Sequence, residues 1–554
     1  MKKLYIGLMA FTMPLLASAQ ETFDALQMSQ TELRGTSRFQ SMAGAFGALG
    51  GDISTLNQNP AGVGVYRSSD ANFTIGLDFN SSETPTITDN KTKFSAQSVG
   101  YVGAIKLNND IMPNLNVGFS YNRVMDFNRR YRGYQNGSPT SITNYIAANT
   151  GNWTPDDLSQ IGSNNPYYNS NAPWASILSY NSYLINRNNN QWQGLYGDGT
   201  SAYSEFEVQQ KGHKDEYSVN LGGNIINKVY WGVGVGIIDF TYDNYQYYGE
   251  SLKNAYIANI HNNNIELGNA DFGYENFLHT VGTGYNFKLG VIVKPVNELR
   301  FGVAFHTPTY YDMKDSYKSN ASFEMSSTEA NKYHGTNETG EKGYYDEVRY
   351  TLKTPWRFIG SVAAVLAKSA ILSFDYEYVD VQSMRVCDDN GDEYLSTTDN
   401  IKSYTKAQHI FRFGAEYRLT PNWSIRAGYS MQKSPVVEEV VNNQMDVVTV
   451  NSNPTYEFNN DIQYITAGIG YHYKSFYCDM AYVHKERKSQ YNAFSPMVYG
   501  AGQVEPNVYS EVKDNNNRVT LTLGFRFKTF IDFEIRLKRM KYCGRLLLSG
   551  GSRL

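Results

Sequence analysis

Cysteine is scarce. Cys387, Cys478 and Cys543 are far apart, odd in number and form no CxxC pair, which argues against a disulfide framework and against a zinc site. Charge is scarce too, at 18% of residues, and the net value of −4 names no partner; no basic run suggests nucleic acid. Enzyme signatures are missing: there is no G-x-S-x-G, H-E-x-x-H or P-loop, and the eight His are scattered. No cofactor is called for. A run able to cross a membrane as a helix is also lacking. The nearest, 358-FIGSVAAVLAKSAILSF-374, is broken by Lys368 and reads better as two strands joined by a tight turn.

The N-terminus sets the compartment. Lys2 and Lys3 precede a short apolar run from Leu4 to Leu16, and Ala17-Ser18-Ala19 is a small-residue cleavage site. Residues 1–19 read as a secretory signal peptide, with the mature chain starting at Gln20. No Cys follows that site, which argues against a lipoprotein. The chain is polar on average, with a mean hydropathy of −0.48, yet 14% of it is aromatic, including 45 Tyr. An exported chain of this kind suits a transmembrane β-barrel; composition alone leaves a large secreted β-protein open.

Alternation decides between them. In 518-RVTLTLGFRF-527, Val519, Leu521, Leu523, Phe525 and Phe527 share one face, while Arg518, Thr520, Thr522, Gly524 and Arg526 share the other. The same two-residue period runs through 114-NLNVGFSYN-122, 298-ELRFGVAFH-306, 410-IFRFGAEYRL-419, 422-NWSIRAGYS-430 and 475-SFYCDMAYVH-484. Each has roughly the 9–11 residues that a tilted strand needs to cross a bilayer. Fourteen such segments lie between 71 and 527. Their connections alternate long and short, the short ones being 108–113, 226–227, 295–297, 367–368, Pro421 and Lys474. Short periplasmic turns and long extracellular loops have this rhythm. The expected fold is all-β: a 14-stranded antiparallel transmembrane β-barrel over 71–527, in a bacterial outer membrane, with Trp231, Trp356, Trp423 and Tyr473 in its interfacial belts.

Residues 20–70 do not alternate. They read as helical pieces, 23-FDALQMSQTEL-33 and 38-RFQSMAGAFGAL-49, followed by the turn-rich 50-GGDISTLNQNPAGVGVY-66. About fifty residues at the periplasmic mouth of so wide a barrel predict a small N-terminal plug in the lumen. The run from Gly35 to Tyr66 resembles the N-terminal hatch of the FadL/TodX-type outer-membrane transport proteins, and Asn59-Pro60-Ala61 matches that family's hatch motif. Thr354-Pro355 and 374-FDYEYVDVQSM-384 match it more weakly. The resemblance implies a fourteen-stranded barrel with a hatch. It also implies uptake of a hydrophobic small molecule, a long-chain fatty acid or an aromatic lipophile, captured near the extracellular loops and released through a gap in the wall.

Register places Arg300, Arg412, Arg418, Arg426 and Arg526 inside the lumen, with Asp375, Glu377, Glu416 and Asp479. Charge in a narrow lumen needs partners. A mixed network bracing the hatch is expected, reaching Asp52 and the side chain of Asn59 in the motif Asn59-Pro60-Ala61-Gly62; a solvated luminal wall is the plainer reading. Pro355 cannot donate to a ladder and marks either a bulge usable as a lateral opening or the outer end of its strand. The Tyr-rich 240-FTYDNYQYYGE-250 reads as an aromatic belt running into a loop, and 387-CDDNGDEY-394 as a solvated loop whose Gly391 is misplaced for a calcium-binding turn. Residues 528–554 read as an atypical basic tail, within which 530–537 alternates too. Outer-membrane lipid or lipopolysaccharide and the barrel assembly machinery are the other expected partners. A gated porin for polar solutes, or a surface receptor for a ligand such as haem, stays open as an alternative on the same barrel.

Overall fold

Leu523 and Phe525 are 42% and 52% exposed, while Arg518, Thr520 and Thr522 between and below them are each 1% exposed. A water-soluble sheet would have the opposite pattern. Such a strand is stable where its outer face meets lipid and its inner face meets other polar groups. The computed structural model describes residues 22–107, 109–160, 165–259, 264–328, 331–367, 369–449, 452–499 and 503–527. The expected signal peptide, the 528–554 tail and Cys543 lie outside the described residues.

Fourteen strands form the wall: β1 Ser69–Glu83, β2 Thr88–Lys106, β3 Asn114–Asp126, β4 Ser201–Ile225, β5 Val229–Ala258, β6 Ile265–Val296 and β7 Leu299–His306, then β8 Arg357–Leu366, β9 Ala370–Val379, β10 Gln408–Arg418, β11 Trp423–Gln432, β12 Tyr456–Tyr473, β13 Phe476–Asn492 and β14 Tyr509–Phe527. Each pairs antiparallel with the next. β14 then pairs with β1 from Ser69↔Phe527 to Glu83↔Lys513, closing the barrel. Lipid offers no hydrogen-bond partner, so closure is what satisfies the backbone. At the short-turn end Ile226, Asn227, Ala367 and Lys474 have positive φ, the left-handed geometry that tight hairpins use.

At the other end the wall keeps going. β4, β5 and β6 have 25, 30 and 32 residues, roughly three times the 9–11 that the hydrocarbon requires. Residues 240–250 are therefore strand rather than loop, Asp243-Asn244 notwithstanding: the run pairs continuously with β4 and β6, and Phe240, Tyr242 and Tyr248 point inward and are buried. Three neighbouring strands break at one height, at 307–309, 354–356 and 380–384, and resume as Tyr310–Thr328, Asp346–Lys353 and Arg385–Asp388. Pro308 and Pro355 sit in two of these breaks and lack the N–H that a continuous ladder needs. Side chains and displaced backbone bonds bridge them: Thr309 N–H donates to the Thr354 hydroxyl (2.8 Å), and Thr354 N–H to the Thr309 carbonyl (3.0 Å).

The lumen is filled at three levels. At the bottom lies the N-terminal plug, with Phe39, Met42, Phe46, Ile53, Leu56 and Val63 buried. Above it α1, Thr22–Ser29, meets α5, Leu395–Tyr404, in a second apolar cluster. At the top, α3 Ile142–Thr150 and α4 Trp174–Asn181 pack inside the extended strands. The sequence did not mark these helices within the long 127–214 connection. The expected helix over 38–49 is shorter: α2 covers only Ser37–Ser41, because Ala43 and Gly44 take positive φ and turn the chain.

Replacing Leu523 by Arg would place a cation against lipid and cost about 2–4 kcal/mol near the bilayer midplane. Urea titration of folding into vesicles should show that loss relative to Leu523→Ala, and an equal midpoint for the two variants would mean that this face is not lipid-facing.

Candidate functional site

The plug holds itself together before it holds the wall. Asn59 N-caps the 3-10 turn Pro60–Val65: its Oδ1 accepts Ala61 N–H (3.1 Å), and its Nδ2 donates to the Gly47 carbonyl (2.6 Å). Pro60 takes the first position of the turn, where no N–H is required. A Cβ on Gly62 would collide with the Thr55 hydroxyl, so the turn packs against the preceding one only through glycine. Asp52 caps that preceding turn, Ile53–Asn57, accepting Ser54 N–H (2.9 Å) and the Thr36 hydroxyl (2.7 Å). Asp52 and Asn59 thus bond within the plug rather than to luminal arginines. Each caps its own turn and also ties that turn to an earlier part of the plug, Asp52 to Thr36 and Asn59 to Gly47.

The wall receives the plug on a floor of inward glycines. A Cβ at Gly232 would run into the Pro60 carbonyl, and one at Gly302 into the Gly47 carbonyl. Polar side chains then fix it in place. Asn116 Nδ2 donates to the carbonyls of Val63 (2.7 Å) and Tyr66 (2.8 Å), Thr466 to Ser41 (2.9 Å), and Arg300 to Leu49 (2.8 Å). Asp375 accepts from Gly47 N–H (2.8 Å) and Gln58 (3.0 Å). Across the closing strands, Ser37 N–H donates to Thr522 (2.7 Å) and Arg518 donates to the Leu33 carbonyl (2.8 Å).

One ion chain runs from plug to wall: Arg38 to Glu416 (2.9 Å), Glu416 to Arg426 (2.6 Å), Arg426 to Asp479 (2.6 Å). Arg412 and Arg357 both engage Glu377 (2.5 Å for Arg412), and Arg357 also donates to Thr31 of the plug (3.0 Å). Arg526 is different. It bonds Asp70 on β1 (3.2 Å), so it ties wall strand to wall strand instead of gripping the plug. Arg418 lines a periplasmic vestibule of about 480 Å³ together with Arg38, Asp52 and Asp70. Strand parity places Arg518 and Lys485 inside, but their plug partners Leu33 and Glu32 come from a segment without period. Burial would raise the Glu32 carboxyl, yet Lys485, Arg34 and Arg518 outweigh it and hold it well below the usual carboxylate range.

Between the plug and the second apolar cluster lies a chamber of about 140 Å³. Arg34, Arg123, Lys214, Lys288, Arg357 and Arg412 line it against Glu32, Glu216 and Glu377, beside Phe39, Ile238 and Tyr311. Pro355 and Thr307, from the strand breaks, form part of its rim. Lys214 donates to the carbonyls of Met28 (2.8 Å) and Gln30. Above the chamber Phe23 of α1 stacks on Tyr456 (5.5 Å) and Tyr404 (6.2 Å). Next to it, burial and the nearby Asp315 and Glu457 push the Asp24 carboxyl up to about 7.

The seam between β2 and β3 is incomplete. β2 and β3 pair only from Ser98↔Asn122 to Lys106↔Asn114. Beyond Asn122, the neighbouring strand Arg129–Asn136 pairs with β4. The gap to β2 is crossed by side chains: Lys93 to Asp126 (2.9 Å), Arg132 to Asp89 (3.2 Å), and the Thr84 hydroxyl to the Arg132 carbonyl (2.8 Å). Among the described residues no group of three His, Cys, Asp or Glu could hold a metal.

The wall from β4 to β13 has a match in sequence. The sequence model of the family described as outer membrane protein transport protein (OMPP1/FadL/TodX) matches residues 196–492. The chain belongs to this family. As a FadL/TodX-type protein it resides in the outer membrane, and its family consists of transport channels for hydrophobic compounds. Among solved structures it is similar to a Pseudomonas aeruginosa FadL homologue, at 12% identity and TM-score 0.46, covering 90% of this chain and 99% of that one. The P. putida toluene transporter TodX follows at 10% and 0.45, covering 90% and 100%. The Ralstonia pickettii toluene transporter TbuX follows at 14% and 0.40, covering 89% and 99%. No curated protein sequence matches it.

Removing Arg426 would leave Glu416 and Asp479 short of a buried partner, a loss of about 3–5 kcal/mol. Arg426→Ala should raise leak conductance in planar bilayers while Arg526→Ala does not; equal conductance in both would refute a plug-bracing role for the chain through Glu416. The Asp24 carboxyl holds its proton more tightly folded than unfolded, so its contribution is complete below its ordinary value of 3.8 and is lost as pH rises through about 7. Amide exchange across Thr22–Ser29 should therefore speed up between pH 6 and 8, and Asp24→Asn should abolish that change.

Proposed function

We propose that this family member takes up acid-headed lipophiles, such as long-chain fatty acids, by passive passage through the plugged barrel. The observation that favours this is the chamber: six Arg and Lys side chains against three carboxylates, beside Phe39, Ile238 and Tyr311. A carboxylate with an apolar tail gains charge-assisted bonds from that surplus of cations and burial from the apolar wall. A neutral aromatic hydrocarbon gains only the second. The TodX and TbuX structures are titled toluene transporters, so a monoaromatic ligand is the competing choice within the same reading.

The route has an entrance and an exit of different character. The extracellular end is roofed by α3 and α4, and α1 with α5 stands between that roof and the chamber. Movement of α1 would connect the two. For the exit, the β2/β3 seam is the candidate line, since beyond Ser98↔Asn122 side chains rather than a backbone ladder hold it. Lateral release there would hand the ligand to the membrane without opening an aqueous pore. A porin for polar solutes is disfavoured by a lumen filled at all three levels.

Mass spectrometry of lipids that co-purify with the detergent-solubilised barrel tests the ligand class. Fatty acid should be found in the wild type and be depleted about tenfold or more in Lys214→Met/Arg412→Met, given roughly 1.5–3 kcal/mol for hydrogen bonds to charged groups. Retention of toluene with no fatty acid would select the aromatic class. An empty lumen with steady ion conductance would select the porin.

A further inference from the structure

The outer surface of β10–β13 changes character along its height. Phe411, Phe413, Tyr429, Met431, Ile465 and Tyr482 project outward into the apolar band, as the alternation on these strands requires. Continuing away from the short turns, the outward positions become His409, Lys433, Gln463, Glu486 and Lys488. At this boundary a cavity of about 880 Å³ opens on the outside of the wall, with the segment 434–441 forming its other side through Ser434, Val436, Glu438 and Val441.

The charges in this cavity are not all paired. Lys433 lies 2.7 Å from Asp461, whose Oδ1 accepts Ser434 N–H (2.9 Å). The Ser434 hydroxyl donates to the Asn459 carbonyl (2.9 Å), which pins the segment to the bulge in β12 between Asn459 and Ile462. Glu486 is 3.6 Å from Lys513. His409 Nδ1 shares a hydrogen bond with the Tyr376 hydroxyl (2.8 Å). Lys406 and Lys488 are exposed and face the cavity without an ion pair among the described residues, leaving Glu438 as the one carboxylate of the lining not already matched. The lining as a whole is balanced, with Lys406, Lys433 and Lys488 against Glu438, Asp461 and Glu486. With Asp461 held by Lys433 and Glu486 by Lys513 from outside the cavity, two unpaired ammonium groups face one unpaired carboxylate, and the lower edge runs directly into the lipid-facing apolar surface.

We propose that this cavity holds the phosphate-bearing headgroup of an outer-leaflet lipid, with the acyl chains lying along Phe411, Tyr429, Met431 and Ile465 below it. The argument needs the chain to sit in the outer membrane and is independent of what the lumen transports. A soluble anion would use the lysines but leave the apolar edge uncovered. A plain hydrocarbon would use the edge but leave two ammonium groups unmatched. An amphiphile with a phosphate at its head satisfies both, because ammonium–phosphate bonds are charge-assisted and acyl burial is paid by the same wall that faces bulk lipid. Lys433 is already committed to Asp461, so Lys406 and Lys488 are the phosphate ligands.

Native mass spectrometry of the whole detergent-solubilised barrel tests this with three probes: a diphosphorylated acyl-glucosamine disaccharide, its dephosphorylated form, and inorganic phosphate. One diphosphorylated lipid per chain should be retained, and far less of the dephosphorylated form. Lys406→Gln/Lys488→Gln should weaken that binding about 30-fold, from about 1 kcal/mol per lysine at an anionic lipid surface. Lys406→Arg/Lys488→Arg, and the remote exposed pair Lys253→Gln/Lys342→Gln, should bind as the wild type does. Equal retention of both lipids, wild-type binding by the double Gln variant, or full competition by inorganic phosphate would each overturn the proposal. Loss of this lipid with unchanged luminal ligand content would leave the transport reading intact, and the reverse result would leave the lipid site intact.

Discussion

Everything in this molecule follows from the fact that hydrocarbon cannot accept or donate a hydrogen bond. A strand surrounded by lipid must find a neighbour on both edges, so fourteen strands close on themselves and β14 returns to β1. Closure turns the usual arrangement inside out. Leu, Val and Phe go outside, and Arg, Asp, Asn, Thr and Gly go inside. The lumen then becomes the place where polar groups must be matched, and the first described residues of the chain supply the matching groups. Backbone pairing lapses at the β2/β3 seam beyond Asn122 and at the breaks around Thr309 and Thr354. In both, side chains or shifted backbone bonds replace the missing rungs.

Inside the barrel two kinds of contact divide the work. Contacts within the plug, through Asn59, Asp52 and Gly62, set its shape. Contacts between plug and wall, through Arg38, Arg300, Asn116 and Asp375, set its position. Apart from the Arg38–Glu416 ion pair, the second group joins backbone carbonyls and N–H groups of the plug to wall side chains, so the plug needs a defined fold before the wall can recognise it. The inward glycines allow its backbone to approach the strands closely enough for these bonds. Charge lies mostly in pairs and chains, as expected where an unmatched ion would be desolvated at high cost.

The barrel was legible in the sequence because a two-residue period survives without any alignment. The fourteen alternating segments are the fourteen wall strands, and the short connections all fall at one end. The plug was legible as an interruption of that period, and the family through Asn59-Pro60-Ala61. Partners within the lumen were not legible. Parity tells that Arg426 and Arg526 both face inward, but only geometry separates them: Arg426 joins Glu416 and through it the plug, whereas Arg526 meets Asp70 on the next strand. The extracellular helices were missed because α3 and α4 occur in Asn-, Ser- and Tyr-rich sequence and owe their helicity to the strands around them. The run 240–250 was misread because strand continuing above the membrane has aromatic residues on both faces, so polar-apolar alternation fades.

The closing seam sets an order of events during biogenesis. Ser37 and Leu33 of the plug bond to Thr522 and Arg518 on the last strand, while the plug is continuous with β1, the partner of that strand. A cylinder sealed while empty would have to be threaded by a folded knot through a mouth that fits it closely. The plug must instead be seated on the growing sheet while it is still an open trough, so that the final strand zips shut over its cargo. The last strand therefore has two templates, the edge of the first strand and the surface of the plug, and a nascent chain whose plug is malformed would stall at the final stitch rather than yield an empty tube.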